Sequence, residues 1–310
     1  MKILTSTHLA GRFLLVPVLF LSATSSRAAA VVDDAELARR FVAGLAAVVE
    51  TPQRQTLHAE QASHQLATTE GQRIRLPQTP ALCTLGPEQS LYDSVMPAVV
   101  VVGSIYKCGN CSDWHLGGMA SGWLLAGEGL VVSNHHVFGE DEKHCFGVMT
   151  ADGRVFAIES ILAADKAGDA VIFRIDTRGE QLPALALGSP ANCGAAVTII
   201  SHPAGRFYSL TTGVVSRYHR QPPEHGKAKV GQQSTALRRP VWMSVTADYA
   251  VGSSGGPVFD ETGAVVGMVS RTYSSQADRH HRRFGNLGNQ MVFKDCVSLD
   301  TLLGLIETPL

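Results

Sequence analysis

Three short stretches hold the residue types that do nucleophilic chemistry. Ser133-Asn134-His135-His136-Val137 follows the apolar run Leu130-Val131-Val132, Gly168-Asp169 leads into Ala170-Val171-Ile172, and Gly252-Ser253-Ser254-Gly255-Gly256-Pro257 is a glycine-rich turn. The chain order is His, Asp, Ser, with 33 residues from His136 to Asp169 and 85 from Asp169 to Ser254. A serine hydroxyl is a poor nucleophile until an imidazole takes its proton. That imidazole in turn needs a carboxylate to fix its tautomer and stabilise its cation. Two adjacent histidines offer the base. Asp169 is the favoured acid because it abuts an apolar strand that would bury its carboxylate, whereas Asp165 reads as the cap of the preceding turn. The glycines around Ser254 let the N–H groups of Gly252 and Ser254 converge as an oxyanion hole.

The elements that must position these groups read as β-structure. Short Val/Ile-rich runs recur from Ser90 onward: Ala98–Ile105, Gly122–Ala126, Leu130–Ser133, Cys145–Thr150, Val155–Leu162, Ala170–Ile175, Ala195–Ser201, Thr211–Ser216, Val241–Ala247, Pro257–Phe259 and Ala264–Ser270. Turn signals such as Asp152-Gly153 separate them, and no long helix intervenes, which points to an all-β barrel or pair of barrels. Ahead of them, Asp33-Asp34 caps a helix to about Glu50, with Leu37, Phe41, Leu45 and Val48 on one face and Pro52 after it. Gln53–Gln72 reads as a weak second helix or a loose connection anchored by Leu57 and Leu66, and Pro77 to Pro87 as a linker. Ser298–Ile306 reads as a short C-terminal helix, and Gln221–Arg239 as a polar, basic loop. The 310 residues carry 26 Lys+Arg against 27 Asp+Glu and are 45% hydrophobic. This excludes a disordered chain and gives no basic surplus for nucleic-acid binding.

Lys2 and Arg12 precede the apolar run Phe13–Ala23, followed by Ala28-Ala29-Ala30. This reads as a cleavable signal peptide over residues 1–30, its apolar core too short to span a ~30 Å bilayer interior. A secreted or periplasmic protein without stable membrane insertion is expected. In that oxidising setting the six cysteines read as structural. Local disulfide pairing of Cys108 and Cys111 is expected, with Cys145 as a conceivable partner, while Cys83 with Cys296 would tether the N-terminal extension and Cys193 reads as a buried strand residue. Cys108-Gly-Asn-Cys111 is also half of a zinc-site spacing, with His115, His144 and Cys145 as conceivable further ligands. No second C-x-x-C or H-x3-H follows, so no metal is expected.

Together the motifs resemble a trypsin-like serine protease of the HtrA/Deg-type bacterial branch. Met119-Ala120-Ser121-Gly122-Trp123 is similar to that family's strand before the histidine. Asp165–Asp169 resembles its D-x-x-x-D segment, and His202-Pro203-Ala204-Gly205 with Gly213-Val214-Val215-Ser216 resembles its G-x-P-x-G and G-x-V-S elements. The resemblance runs from about Ser90 to Ile306. It implies a double six-stranded β-barrel over residues 89–310, preceded by a helical extension and linker over 31–88. It further implies His136 as base, since the family histidine directly precedes Val or Cys, with Asp169 as orienting acid and Ser254 as nucleophile. Ser270 resembles the serine that supports the acid, beside an edge strand that binds substrate. Asp248, six residues before the nucleophile, falls where trypsin-like enzymes place the base of the S1 pocket and leans the preference toward basic P1 residues. Tyr249 filling that pocket, or Arg279–Arg283 nearby, would work against it. Ser253 replaces the usual Asn or Asp before the nucleophile, which argues against zymogen-type activation. With so short a chain end, no PDZ domain is expected.

Ser254 also sits in a G-x-S-x-G pattern, the nucleophile elbow of α/β-hydrolases, which needs strand–turn–helix and a later acid and histidine. Here strand-like segments follow the serine, and His280 and His281 lie too close downstream for the rest of such a sheet. The expected function is a serine endopeptidase that acts on protein or peptide substrates through an acyl-enzyme on Ser254, without cofactor. The alternative is a catalytically inactive homologue serving as a peptide-binding module.

Overall fold

A computed structural model describes residues 31–51, 54, 56–77, 90–139, 144–220, 239–276 and 289–307. The expected signal peptide over residues 1–30, Cys83 with most of the expected linker, most of the loop 221–239 and the basic stretch 279–283 lie outside the described residues. Val32–Leu310 form one compact unit.

Among the described residues, twelve strands close into two antiparallel barrels. The first contains β1 (Val99–Lys107), β2 (Trp114–Ala126), β3 (Leu130–Ser133), β4 (His144–Met149), β5 (Val155–Asp165) and β6 (Ala170–Ile175), ordered β1-β2-β3-β6-β5-β4. The second contains β7 (Ala196–Ser201), β8 (Ser209–His219), β9 (Trp242–Val245), β10 (Pro257–Phe259), β11 (Val265–Gln276) and β12 (Asn289–Ser298), ordered β10-β11-β12-β9-β8-β7. In the second barrel the β11–β12 ladder runs on to Gln276 and Asn289, past the pairing of β11 with β10 and of β12 with β9. Among the described residues, no helix is long and apolar enough to cross a membrane.

Val99 to Val102 are all fully buried rather than alternating, because one face of β1 fills the barrel and the other lies under added structure. Part of that cover is α1 (Asp34–Val49), whose N-cap Asp33 accepts a bond from the Glu36 amide and whose first turn is acidic, as the helix dipole favours. Gly103 of β1 and Gly147 of β4 face each other in register. A Cβ at Gly103 would lie 2.8 Å from the Phe41 ring, and one at Gly147 2.6 Å from Leu45. The paired glycines therefore form the seat of α1. The second helix, α2 (Ala59–Thr68), binds β5 through Gln65, whose side-chain oxygen accepts from the Ile161 amide at 2.7 Å. Leu57 lies between strands, its amide donating to the Ile158 carbonyl and its carbonyl accepting from the Phe146 amide. After α3 (Leu91–Val95) the chain enters β1, and α4 (Leu299–Leu303) follows β12.

The cysteines depart from expectation. The Cys108 and Cys111 sulfurs lie 3.4 Å apart, well beyond a disulfide bond of ~2.05 Å, and both are thiols. Cys145 is buried on β4 with its sulfur 3.2 Å from His58 Nδ1, so it faces the extension rather than that loop. Cys193 is exposed, not buried in a strand. The Ala195 amide donates to the Asn192 carbonyl and Gly194 has φ +87°, so Asn192-Cys193-Gly194 is a turn ahead of β7. Cys296 is buried in the second barrel, and burial pushes its thiol up to about 12.

Candidate active site

His136 occupies a one-turn 3-10 segment, His135–Val137, directly after β3. Asp169 ends the turn between β5 and β6, and Ser254 lies between β9 and β10. Histidine and acid thus belong to the first barrel and the serine to the second. His136 Nε2 is 3.0 Å from Ser254 Oγ, and its Nδ1 is 2.9 Å from Asp169 Oδ2 and 3.0 Å from Oδ1. His135 is half-buried and its imidazole pKa is lowered by burial.

Asp169 is held unusually. Its φ of +54° is a left-handed conformation that L-residues other than Asn and Asp rarely adopt. The Asn134 side-chain amide donates to its carbonyl at 2.8 Å. The carboxylate accepts from the His136 amide at 3.1 Å and from Ser270 Oγ at 2.5 Å. Burial opposes its charged form, but the bonds and charge of His136 and the Ser270 hydroxyl outweigh it and hold the carboxyl below its ordinary value. Asp165 accepts from the Gly168 amide at 2.7 Å and so closes the turn that delivers Asp169.

Gly252 carries φ +94°, and a Cβ there would lie 2.5 Å from the His202 carbonyl oxygen. Glycine is required at this position on both counts. Among the described residues, neither the Gly252 nor the Ser254 amide hydrogen has a partner, which leaves both for an incoming oxygen. Ser253 turns inward, its hydroxyl on Ser201 Oγ at 3.0 Å.

Three residues that sequence reasoning had left without a role hold the site, two of them fastening this loop. Ser121 of β2 donates its amide to the Ser254 carbonyl at 2.7 Å and its hydroxyl to the Gly252 carbonyl at 2.9 Å. His202 donates its amide to the Ser121 hydroxyl at 3.1 Å. Asn134 fixes the acid as described. They lie within the quoted motifs, which gave them no role of their own, since a buried serine in a strand is usually mere packing.

Asp248 follows β9 and is exposed. Its carboxylate is 85% exposed and takes the Lys294 ammonium, while the Thr211 hydroxyl donates to its carbonyl. Tyr249 is partly buried in the second barrel, with its hydroxyl on the Arg271 carbonyl at 2.9 Å. The cleft beside Ser254 is lined by His136, Val102, Met119, Phe146 and Val251.

Residues 120–268 match the model of the trypsin-like peptidase domain. The chain is 30% identical over 162 residues to Protease Do-like 1, chloroplastic, of Arabidopsis thaliana, covering 51% of this chain and 34% of that protein. It is 28% identical over 191 residues to a probable periplasmic serine endoprotease DegP-like of Hahella chejuensis (61% and 35%), and 30% identical over 179 residues to serine protease PepD of Mycobacterium tuberculosis (54% and 37%). The chain thus spans about a third of the length of these relatives. Among solved structures it is similar to Deg5, at 23% identity and TM-score 0.49, over 69% of this chain and 88% of that one.

Proposed function

We propose, from the premise that residues 120–268 carry a trypsin-like peptidase domain, that this chain is a serine endopeptidase acting on protein or peptide substrates. The observation that carries the reading is the unbroken chain of contacts Ser254–His136–Asp169–Ser270 across the two barrels. Ser254 Oγ attacks the scissile carbonyl carbon while its proton passes to His136 Nε2. The Gly252 and Ser254 amides bind the oxygen as it becomes negative. Asp169 keeps the His136 proton on Nδ1, so that Nε2 is the base, and stabilises the imidazolium once formed. His136 then gives the proton to the departing amine as the C–N bond breaks, leaving an ester on Ser254. Water, deprotonated by His136, releases the acid product.

Ser270 is a positioning residue, since it acts through Asp169. Residues 31–88 serve as an N-terminal extension of a protease domain over 89–310, and residues 1–30 as an export signal. A periplasmic or secreted location accords with the names of relatives such as the Hahella chejuensis protein. Purified wild-type and Ser254→Ala proteins, assayed on unfolded casein, test the proposal. Loss of turnover by ~10⁶-fold is expected, the scale for breaking such a unit. Equal hydrolysis by both would reject it, and peptide capture without cleavage would make the chain a binding module.

A further inference from the structure

We infer that Cys108, Cys111 and His115 form a binding site for one zinc ion, independent of the triad. The three side chains sit where β1 turns into β2: both cysteines lie in the connecting loop, and His115 is the second residue of β2. Cys108 Sγ is 3.4 Å from Cys111 Sγ, Cys111 Sγ is 3.0 Å from His115 Nε2, and the three ligand atoms all lie within 4.8 Å of one another. A tetrahedral zinc with bonds of ~2.3 Å to sulfur and ~2.0–2.1 Å to nitrogen requires ligand separations of roughly 3.5–3.8 Å. Small side-chain rotations reach that spacing from the observed one. Two sulfurs and an imidazole are also the donor set that favours zinc over the harder magnesium or calcium.

The surroundings hold the donors ready. The Asn110 amide donates to Cys108 Sγ at 3.4 Å, an outer contact of the kind that orients a ligating sulfur. The Lys107 ammonium bonds the Ser112 carbonyl across the loop and lies 4.5 Å from the centre of the Trp114 ring. Trp114 Nε1 donates to Glu50 at the end of α1 at 2.8 Å, which ties the hairpin to the helix. Cys111 is exposed and Cys108 half-exposed, so an ion enters from solvent and water completes the tetrahedron. Binding replaces two S–H bonds with two Zn–S bonds and releases two protons. No residue of the site touches Ser254, so the ion clips the hairpin rather than taking part in hydrolysis.

The full-length protein, purified without reductant, is first mapped for Cys108 and Cys111 connectivity. It is then reduced, freed of metal with a chelator, and titrated separately with Zn²⁺ and Co²⁺. One equivalent of each is expected, Co²⁺ giving a thiolate-to-cobalt charge-transfer band that Zn²⁺ abolishes, and Zn²⁺ raising the unfolding temperature. Cys108→Ser and Cys111→Ser should lose the band, and His115→Ala should bind at least ~10–100-fold more weakly, the scale for losing even an outer-shell partner. Cys193→Ser should bind like wild type. Circular dichroism checks that each variant is folded. A Cys108–Cys111 disulfide in the purified protein, absence of the band, or an unchanged band in folded Cys111→Ser would overturn the site.

Discussion

Acidification should weaken the fold through His202, a residue that never meets substrate. Its ring is fully buried, edge-on to Tyr208 at 4.8 Å and tilted to Phe207 at 5.6 Å. The Tyr208 amide donates to Nδ1 at 3.1 Å, so the neutral ring carries its proton on Nε2. Burial lowers its pKa from 6.5 to about 4, with the Val100 carbonyl pulling weakly the other way. Between those values the unfolded chain holds a proton that the folded chain refuses. The stabilisation is therefore complete above pH ~6.5 and is lost as pH falls toward 4. Integrating a shift of ~2.5 units from neutral pH down to pH 4 gives about 3 kcal/mol. The assay is urea unfolding from pH 7.5 to 4 for wild type and His202→Asn, whose side-chain oxygen still accepts from Tyr208. The variant will be less stable throughout because it loses ring packing, but its disadvantage should shrink by about 3 kcal/mol over that range. Parallel curves for the two proteins would refute the reasoning.

Further outcomes follow from single contacts. Gly252→Ala places a methyl against the His202 carbonyl and should cost ~3–4 kcal/mol of transition-state stabilisation, read as a 10²–10³-fold fall in kcat with little change in KM. Ser270→Ala removes a bond to the Asp169 carboxylate and should lower kcat/KM by ~10–100-fold, from the ~1.5–3 kcal/mol of a hydrogen bond to a charged group, with Ser270→Thr restoring part of it. Phe41→Ala empties the seat of α1 over Gly103 and should lower stability by ~3–5 kcal/mol in the same urea assay.

Much of this architecture was legible because its signals are local. Leu130–Ser133, Ala170–Ile175 and Pro257–Phe259 match their strands end for end, being short apolar runs bounded by turn residues. Asp33 caps α1 as its type and position indicate. β12 went unread because Lys294-Asp295 interrupts its apolar pattern. Asp295 is nonetheless buried, satisfied by the Ser244 hydroxyl at 2.7 Å and facing His219 across the barrel, a long-range pairing that no window of sequence displays. α2 was legible only as one of two alternatives, a weak helix or a loose connection, since its polar Gln65 binds the backbone of β5 rather than solvent. At the site, the motifs brought His136, Asp169 and Ser254 into view, whereas Ser121 works through carbonyls of the opposite barrel and His202 through an amide bond to the Ser121 hydroxyl. Asp248 was read from its distance to the nucleophile in the chain, and its ion pair with Lys294, 46 residues away, is a contact that no local window displays.

The central claim is that Ser254 is a nucleophile activated by His136. A fluorophosphonate probe tests it directly, with the adduct located by peptide mass mapping. The account predicts one phosphonyl group per chain, carried on Ser254, absent from Ser254→Ala and formed far more slowly by His136→Ala. A wild-type protein left unmodified while folded, or an adduct that persists in Ser254→Ala, would contradict it.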